Sequence, residues 1–255
     1  MNRATSRCLN KVLNLAIVIM LGATFVWSQD GNAAGTPSLN MAQVVEAMQR
    51  HDQAQAKELQ HYQAVRHYAV VYRGFAKTIT AGMEVEVVYD AGSGKRFRIL
   101  SQNGSAMLCQ KVLKRALDSE REASLERSAN ALTPTNYKFA PLGTERLGDR
   151  TAYVLNVEPI KPSKFLYKGR IWVDAADFAV AKMEVQPAQN PSFWISRTLI
   201  HHSNMRTGGF WLPERNQSES KVRIGGTATM TIEYGTYQIV PQAGASKSAS
   251  VPGNR

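Results

Sequence analysis

The stretch that settles the fold is Gly82–Leu100, GMEVEVVYDAGSGKRFRIL. Met83, Val85, Val87 and Tyr89 alternate with Glu84, Glu86 and Asp90, the period of two expected of a strand with one dry and one wet face. The small residues of AGSGK supply a turn. Beyond it Phe97 and Ile99 face one way and Arg96 and Arg98 the other. This is a β-hairpin in an antiparallel sheet covered on one side.

The same texture continues towards the C-terminus. Strands are predicted at Tyr137–Glu145, Thr151–Pro159, Lys164–Asp174, Phe178–Gln186, Ser192–His202, Gly209–Glu219 and Lys221–Ile239, the last bending near Gly225-Gly226. No helix separates them, so neighbours pair antiparallel. A sheet of about ten strands does not stay flat and must curl strongly. On the N-terminal side HYAVVYRGF (67–75) is a further strand.

Two amphipathic helices complete the inventory. Ser38–Ala64 carries Met41, Val44, Val45, Met48, Gln55, Ala56, Leu59 and Tyr62 along one stripe, and Ser105–Arg127 carries Ala106, Cys109, Val112, Leu113, Ala116 and Leu117. The end of the second, DSEREASLER (118–127), is charged all round and reads as solvated. The helices are the candidates to cover the concave side of the sheet, either filling it or capping a cavity. The fold class expected is mainly β (α+β): one strongly curved antiparallel sheet with two amphipathic helices.

The chain begins with Arg3, Arg7 and Lys11 and no acid, followed by the uncharged run VLNLAIVIMLGATFVW (12–27). A basic start and an apolar run too short for a bilayer span predict a cleaved signal peptide over 1–28. Residues 29–38 read as a flexible lead-in, 39–240 as the folded domain, and the small, polar stretch 241–255 as a disordered tail. Removal of the leader lowers the net charge from +11 to +8 and leaves Cys109 as the lone cysteine, without an internal disulfide partner. At 44% hydrophobic and 20% charged residues, the 255-residue chain is neither disordered nor fibrous.

No arrangement of residues points to catalysis. His201 and His202 are neighbours on a strand and point to opposite faces, and no H-x-x-x-H, H-E-x-x-H or C-x-x-C spacing occurs, so no metal site or cofactor is expected. Glu84/Glu86 reads as the wet face of a strand, and Asp174/Asp177 as the frame of a tight turn. Cys109 has no activating neighbour in sequence and reads as a small apolar side chain. The Lys and Arg residues are scattered rather than blocked, which with export argues against nucleic acid; they serve solubility, or meet anionic headgroups or lipopolysaccharide phosphates.

Four strings carry a family resemblance: GRIWVDAADFAVAKMEV (169–185), NPSFWISRT (190–198), GFWLPERNQSESKVRI (209–224) and TIEYGTYQI (231–239). They resemble the C-terminal strands of LolA-like periplasmic proteins, a group of outer-membrane lipoprotein-sorting carriers and lipoprotein-sensing domains of envelope-stress regulators. The order of leader, long helix, strands, helix and strands is similar too, over residues 39–239. The resemblance implies an unclosed β-barrel of about 10–11 strands with the helices as a lid. It implies a non-enzymatic, monomeric periplasmic protein that holds lipoprotein acyl chains or another lipid for transport toward the outer membrane, with membrane-bound donor and acceptor proteins as further partners. The alternative within the same group is a sensing or protein-interaction module. Family carriers rely on an arginine of an early strand near the lid, for which Arg66, Arg73, Arg96 and Arg98 are all counterparts by position. On this reading Met41, Val44 and Met48 face Met83, Val85, Val87, Phe97 and Ile99 across the opening, and Ile171, Val173, Met183 and Val185 line the back of an apolar cavity.

Overall fold

The first helix, α1 (Met41–Glu58), starts on a reciprocal cap: the Asn40 side chain accepts from the Gln43 N–H, and the Gln43 side chain accepts from the Asn40 N–H. Its spacing brings Val44, Val45 and Met48 onto one buried face. The computed structural model describes residues 40–125, 127–190 and 192–240. The expected leader (1–28), lead-in (29–38) and tail (241–255) lie outside the described residues.

The helix ends at Glu58 rather than running to Ala64, and Leu59 already has extended backbone. From His61 a period of two takes over, and Tyr62, Ala64, Arg66, Tyr68 and Val70 turn inward along β1 (His61–Arg73). The physical reason is cross-strand pairing: Tyr62 stands opposite Tyr89, and the two rings stack with centroids 5.1 Å apart.

β2 (Thr78–Asp90) and β3 (Gly94–Gly104) form the expected hairpin. The second helical segment follows in pieces: α2 (Ala106–Leu108), capped by Ser105; a π-helical turn (Cys109–Leu113) in which the Lys114 N–H donates to the Cys109 carbonyl; α3 (Lys114–Leu125); and the short α4 (Arg127–Asn130). Then come β4 (Tyr137–Leu147), β5 (Arg150–Pro159), β6 (Tyr167–Asp174), β7 (Val180–Pro187), β8 (Ile195–Thr207), β9 (Phe210–Val222), β10 (Thr227–Tyr234) and β11 (Gln238–Val240). The expected long strand Lys221–Ile239 is instead a turn and two strands. Gly225 and Gly226 both have φ in the left-handed region, at 106° and 87°, which reverses the chain instead of bending it.

All pairings are antiparallel, and the order is β3-β2-β1-β10-β9-β8-β7-β6-β5-β4, with β11 beside the first residues of β1. β3 and β4 are the two ends of this 11-stranded sheet and do not pair with each other, so it is open. Where β10 gives way to β11, the Gly235 N–H donates to the Val65 carbonyl at 2.9 Å, an approach so close that a Cβ on Gly235 would stand 2.7 Å from that oxygen.

The helices divide one face of the sheet between them. Leu108, Leu113 and Leu117 pack with Met83, Val85 and Val87 of β2. Val44, Val45 and Met48 of α1 pack with Leu155, Val157, Ile171 and Val173 of β5 and β6. On the other face Trp172 is buried with Ala152 and Val154 between the cations of Arg170 and Lys182.

Candidate functional site: a buried ion cluster beneath the second helix

The inward row of β1 is apolar except at one position. Arg66 lies between Ala64 and Tyr68 with no exposed side-chain surface. A guanidinium cannot be left unpaired in such a place. Its partner comes from α3: Nη1 donates to both oxygens of Glu120, at 3.0 and 2.8 Å. Lys95 of β3 reaches the same carboxylate, with Nζ 2.7 Å from Oε1. Tyr234, opposite Arg66 in the register, places its ring 4.5 Å beneath the guanidinium. Helix and sheet are thus joined by one carboxylate shared between two cations.

Burial alone would raise the Glu120 carboxyl, but Lys95 and Arg66 hold it down at about 2. Burial works against the Arg66 charge too, and the Glu120 carboxylate outweighs it, so the guanidinium stays protonated. Burial also pushes the hydroxyls of Tyr68 and Tyr234 upward. The satisfaction of this cluster is incomplete. Arg66 Nε and Nη2 and the Tyr68 hydroxyl are buried without a hydrogen-bond partner among the described residues. Buried donors left unpaired cost stability.

Of the four arginines open by position, Arg66 is the one under a helix. Arg96 and Arg98 are 64% and 69% exposed and pair outward with Asp90 and Glu86, and Arg73 is exposed at the end of β1.

Polar groups continue along this face. In the register Ile232 of β10 opposes Asn216 of β9, which opposes His202 of β8. The His202 ring lies 3.0 Å from Asn204 Oδ1 and 3.3 Å from Asn216 Nδ2, and burial lowers its proton affinity. Thr198 and Ser220 share a hydroxyl hydrogen bond of 2.9 Å. His201 points the other way, towards Glu184. Among the described residues no three His, Cys, Asp or Glu side chains converge as metal ligands.

α1 is fastened by a different device. The Gln55 amide donates to the Trp211 carbonyl at 3.1 Å and accepts from the Trp211 N–H at 2.8 Å, as a neighbouring strand would. The Trp211 indole N–H donates to Asp177, which with Asp174 binds Arg150. Asp174 also accepts from the backbone N–H groups of Ala176 and Asp177, the tight turn expected of that pair. Two cavities flank Trp211, of about 330 Å³ and 270 Å³; the first holds His51, Gln55 and Arg206, the second Arg150, Lys182 and Asn204. Cys109 is buried at the start of the π-turn, its thiol 3.5 Å from the Asn103 carbonyl.

The apolar residues expected around a cavity fall into separate groups. Val44, Met48, Ile171 and Val173 are buried together, with Met41 and Met183 partly buried against them. Met83, Val85 and Val87 are buried in the other cluster with Phe97 at its margin. Val185 is buried on β7, while Ile99, on the edge strand, is 39% exposed. α1 therefore faces Ile171 and Val173, and it is the second helix that covers Met83, Val85 and Val87. Glu120 and Lys95 were not legible as site residues. The solvated reading of 118–127 does not hold at Glu120, which is seven residues beyond Leu113 and three beyond Leu117 and so extends their buried stripe.

These features define a class: an open antiparallel sheet covered on one face by helices, with a charged cluster under one of them. No protein-family model and no curated protein matches the chain. Solved structures do. A DUF1329 family protein from Desulfovibrio piger ATCC 29098 is 11% identical, with a TM-score of 0.40 over 80% of this chain and 93% of that one. A LolA superfamily protein from Nitrosomonas europaea is 13% identical, with a TM-score of 0.35 over 80% and 94%. An outer membrane lipoprotein-sorting protein domain from Vibrio parahaemolyticus is 11% identical, with a TM-score of 0.38 over 80% and 94%.

Proposed function

We propose that this chain is a periplasmic binding protein for the acyl chains of lipoproteins or another lipid, and that the helix 106–125 is the lid of its site. The observation that carries the reading is the Arg66–Glu120–Lys95 clasp. A helix meant only to complete a core is better held by apolar contacts, since a buried ion pair is at best a weak stabiliser. A clasp with unpartnered Arg66 and Tyr68 donors suits an element that is closed in one state and released in another. The π-turn within the same helix is of the kind found most often at functional sites.

The magnitudes are compatible with exchange. In the closed state the interior is occupied by the lid's own side chains. Lifting the helix uncovers Leu108, Leu113 and Leu117, at a cost of about 6 kcal/mol. One acyl chain burying about eight methylenes against Met83, Val85 and Val87 offsets that. The ester or amide oxygens at its head could satisfy the free donors of Arg66 and Tyr68.

Titration with 11-(dansylamino)undecanoic acid tests this. The probe should bind, and Glu120→Gln should bind it at least about tenfold more tightly because the lid opens more readily. Absence of probe binding by both proteins while they remain folded would overturn the carrier reading, and so would capture of a periplasmic peptide by a lid that never admits the probe.

A further inference from the structure

The end of the sheet where β1 meets β2, β7 meets β8 and β9 meets β10 carries a concentration of exposed apolar side chains. Phe75, Phe193 and Ile224 are 93%, 74% and 69% exposed, the highest values among the large hydrophobic residues described, and Trp194 is 57% exposed. The register puts all four at one end. Arg73 pairs with both Thr78 and Thr227, Thr227 with Lys221, and Lys221 with Arg197.

These turns are pinned to one another. The Phe75 ring lies on Gly225 so closely that a Cβ there would meet its Cε2 at 2.0 Å, and the Tyr72 hydroxyl donates to the Gly225 carbonyl at 2.9 Å. The Arg223 N–H donates to the Trp194 carbonyl at 2.8 Å, and the Arg223 guanidinium lies 5.3 Å from the centre of the Phe193 ring. Three separate loops therefore present one preorganised tip.

Its charge has one sign. The segments 73–78, 192–197 and 221–227 contain five basic residues, Arg73, Lys77, Arg197, Lys221 and Arg223, and no acid. All five are exposed and none is ion-paired among the described residues. Elsewhere on the surface several arginines are neutralised by acids, as Arg98 is by Glu86 and Arg170 by Glu184, although Arg115 and Arg146 are exposed without an acidic partner among the described residues.

We infer that this aromatic, cationic tip docks the protein on an anionic lipid surface. The apolar groups stand mostly in solvent, so they suit a fluid phase that needs no matching pocket. Phe and Trp belong at the level of the headgroups, and unpaired cations beside them complement anionic lipid. The tip is separate from the clasp and does not depend on what the lid admits.

The exported protein, recovered from the periplasm, can be sedimented with vesicles of phosphatidylcholine alone or with a quarter phosphatidylglycerol. Binding should favour the anionic vesicles and weaken with salt. Phe193→Ser/Trp194→Ser and Lys221→Glu/Arg223→Glu should each lower it by about tenfold or more. Both variants change exposed residues and should melt with the parent. Equal binding to both vesicle types, unchanged binding by the folded variants, or parent self-association that either variant abolishes would overturn the inference. Dansyl-probe binding should be the same in all three proteins, which separates failure of the tip from failure of the lid.

Discussion

Arg66 and Glu120, 54 residues apart in the chain, meet with both carboxylate oxygens on one guanidinium nitrogen, and the arginine has no exposed surface. This contact ties the helix over β1–β3 to the sheet by charge, whereas α1 is tied by the Gln55 amide. The two fastenings can be tested separately.

Glu120→Gln leaves Arg66 buried without a counter-ion. It should destabilise the fold by about 3 kcal/mol and speed hydrogen exchange of residues 106–125 more than that of α1. Urea unfolding with exchange mass spectrometry reads both; uniform loss of protection would argue against a local clasp.

The paired change Arg66→Met/Glu120→Met removes both charges and fills the space with apolar groups. It should cost far less than either single change, within about 1 kcal/mol of the parent. If the double variant is as unstable as Glu120→Gln, the ion pair is needed for stability itself.

The acid limb of stability follows from Glu120. Its folded carboxyl is held at about 2, below the ordinary value of 4.5. Its contribution is therefore complete above pH 4.5 and drains away as pH falls towards about 2. Melting temperatures between pH 6 and pH 2 should drop more steeply in the parent than in Glu120→Gln. Parallel curves would contradict the assignment.

His202 adds a milder dependence at higher pH. Burial lowers its proton affinity below the ordinary 6.5, so the unfolded chain takes the proton first and stability falls as pH drops below that value. His202→Gln should flatten this part of the curve, and an NMR titration of the ring should give a midpoint below 6.5.

Gln55→Ala breaks both amide links to the buried residue Trp211. A loss of about 1–2 kcal/mol is expected, with exchange rising in α1 and not in 106–125.

The amino-acid sequence by itself determined the class of fold and most of its elements. Alternation in GMEVEVVYD and in the strands after Tyr137 demands an antiparallel sheet with one covered face, because successive side chains of a strand point to opposite sides. It also exposed two apolar helical stripes that had to cover something. Where local patterns competed, as at Leu59–Tyr62, the stacking of Tyr62 on Tyr89 decided the outcome, and no local signal contains that contact. Which half of the sheet each helix covers, which of four arginines is buried, and that Glu120 rather than solvent receives it are decided by strand order and chain closure. Side-chain periodicity says that a face is apolar; only the assembled sheet says what it meets.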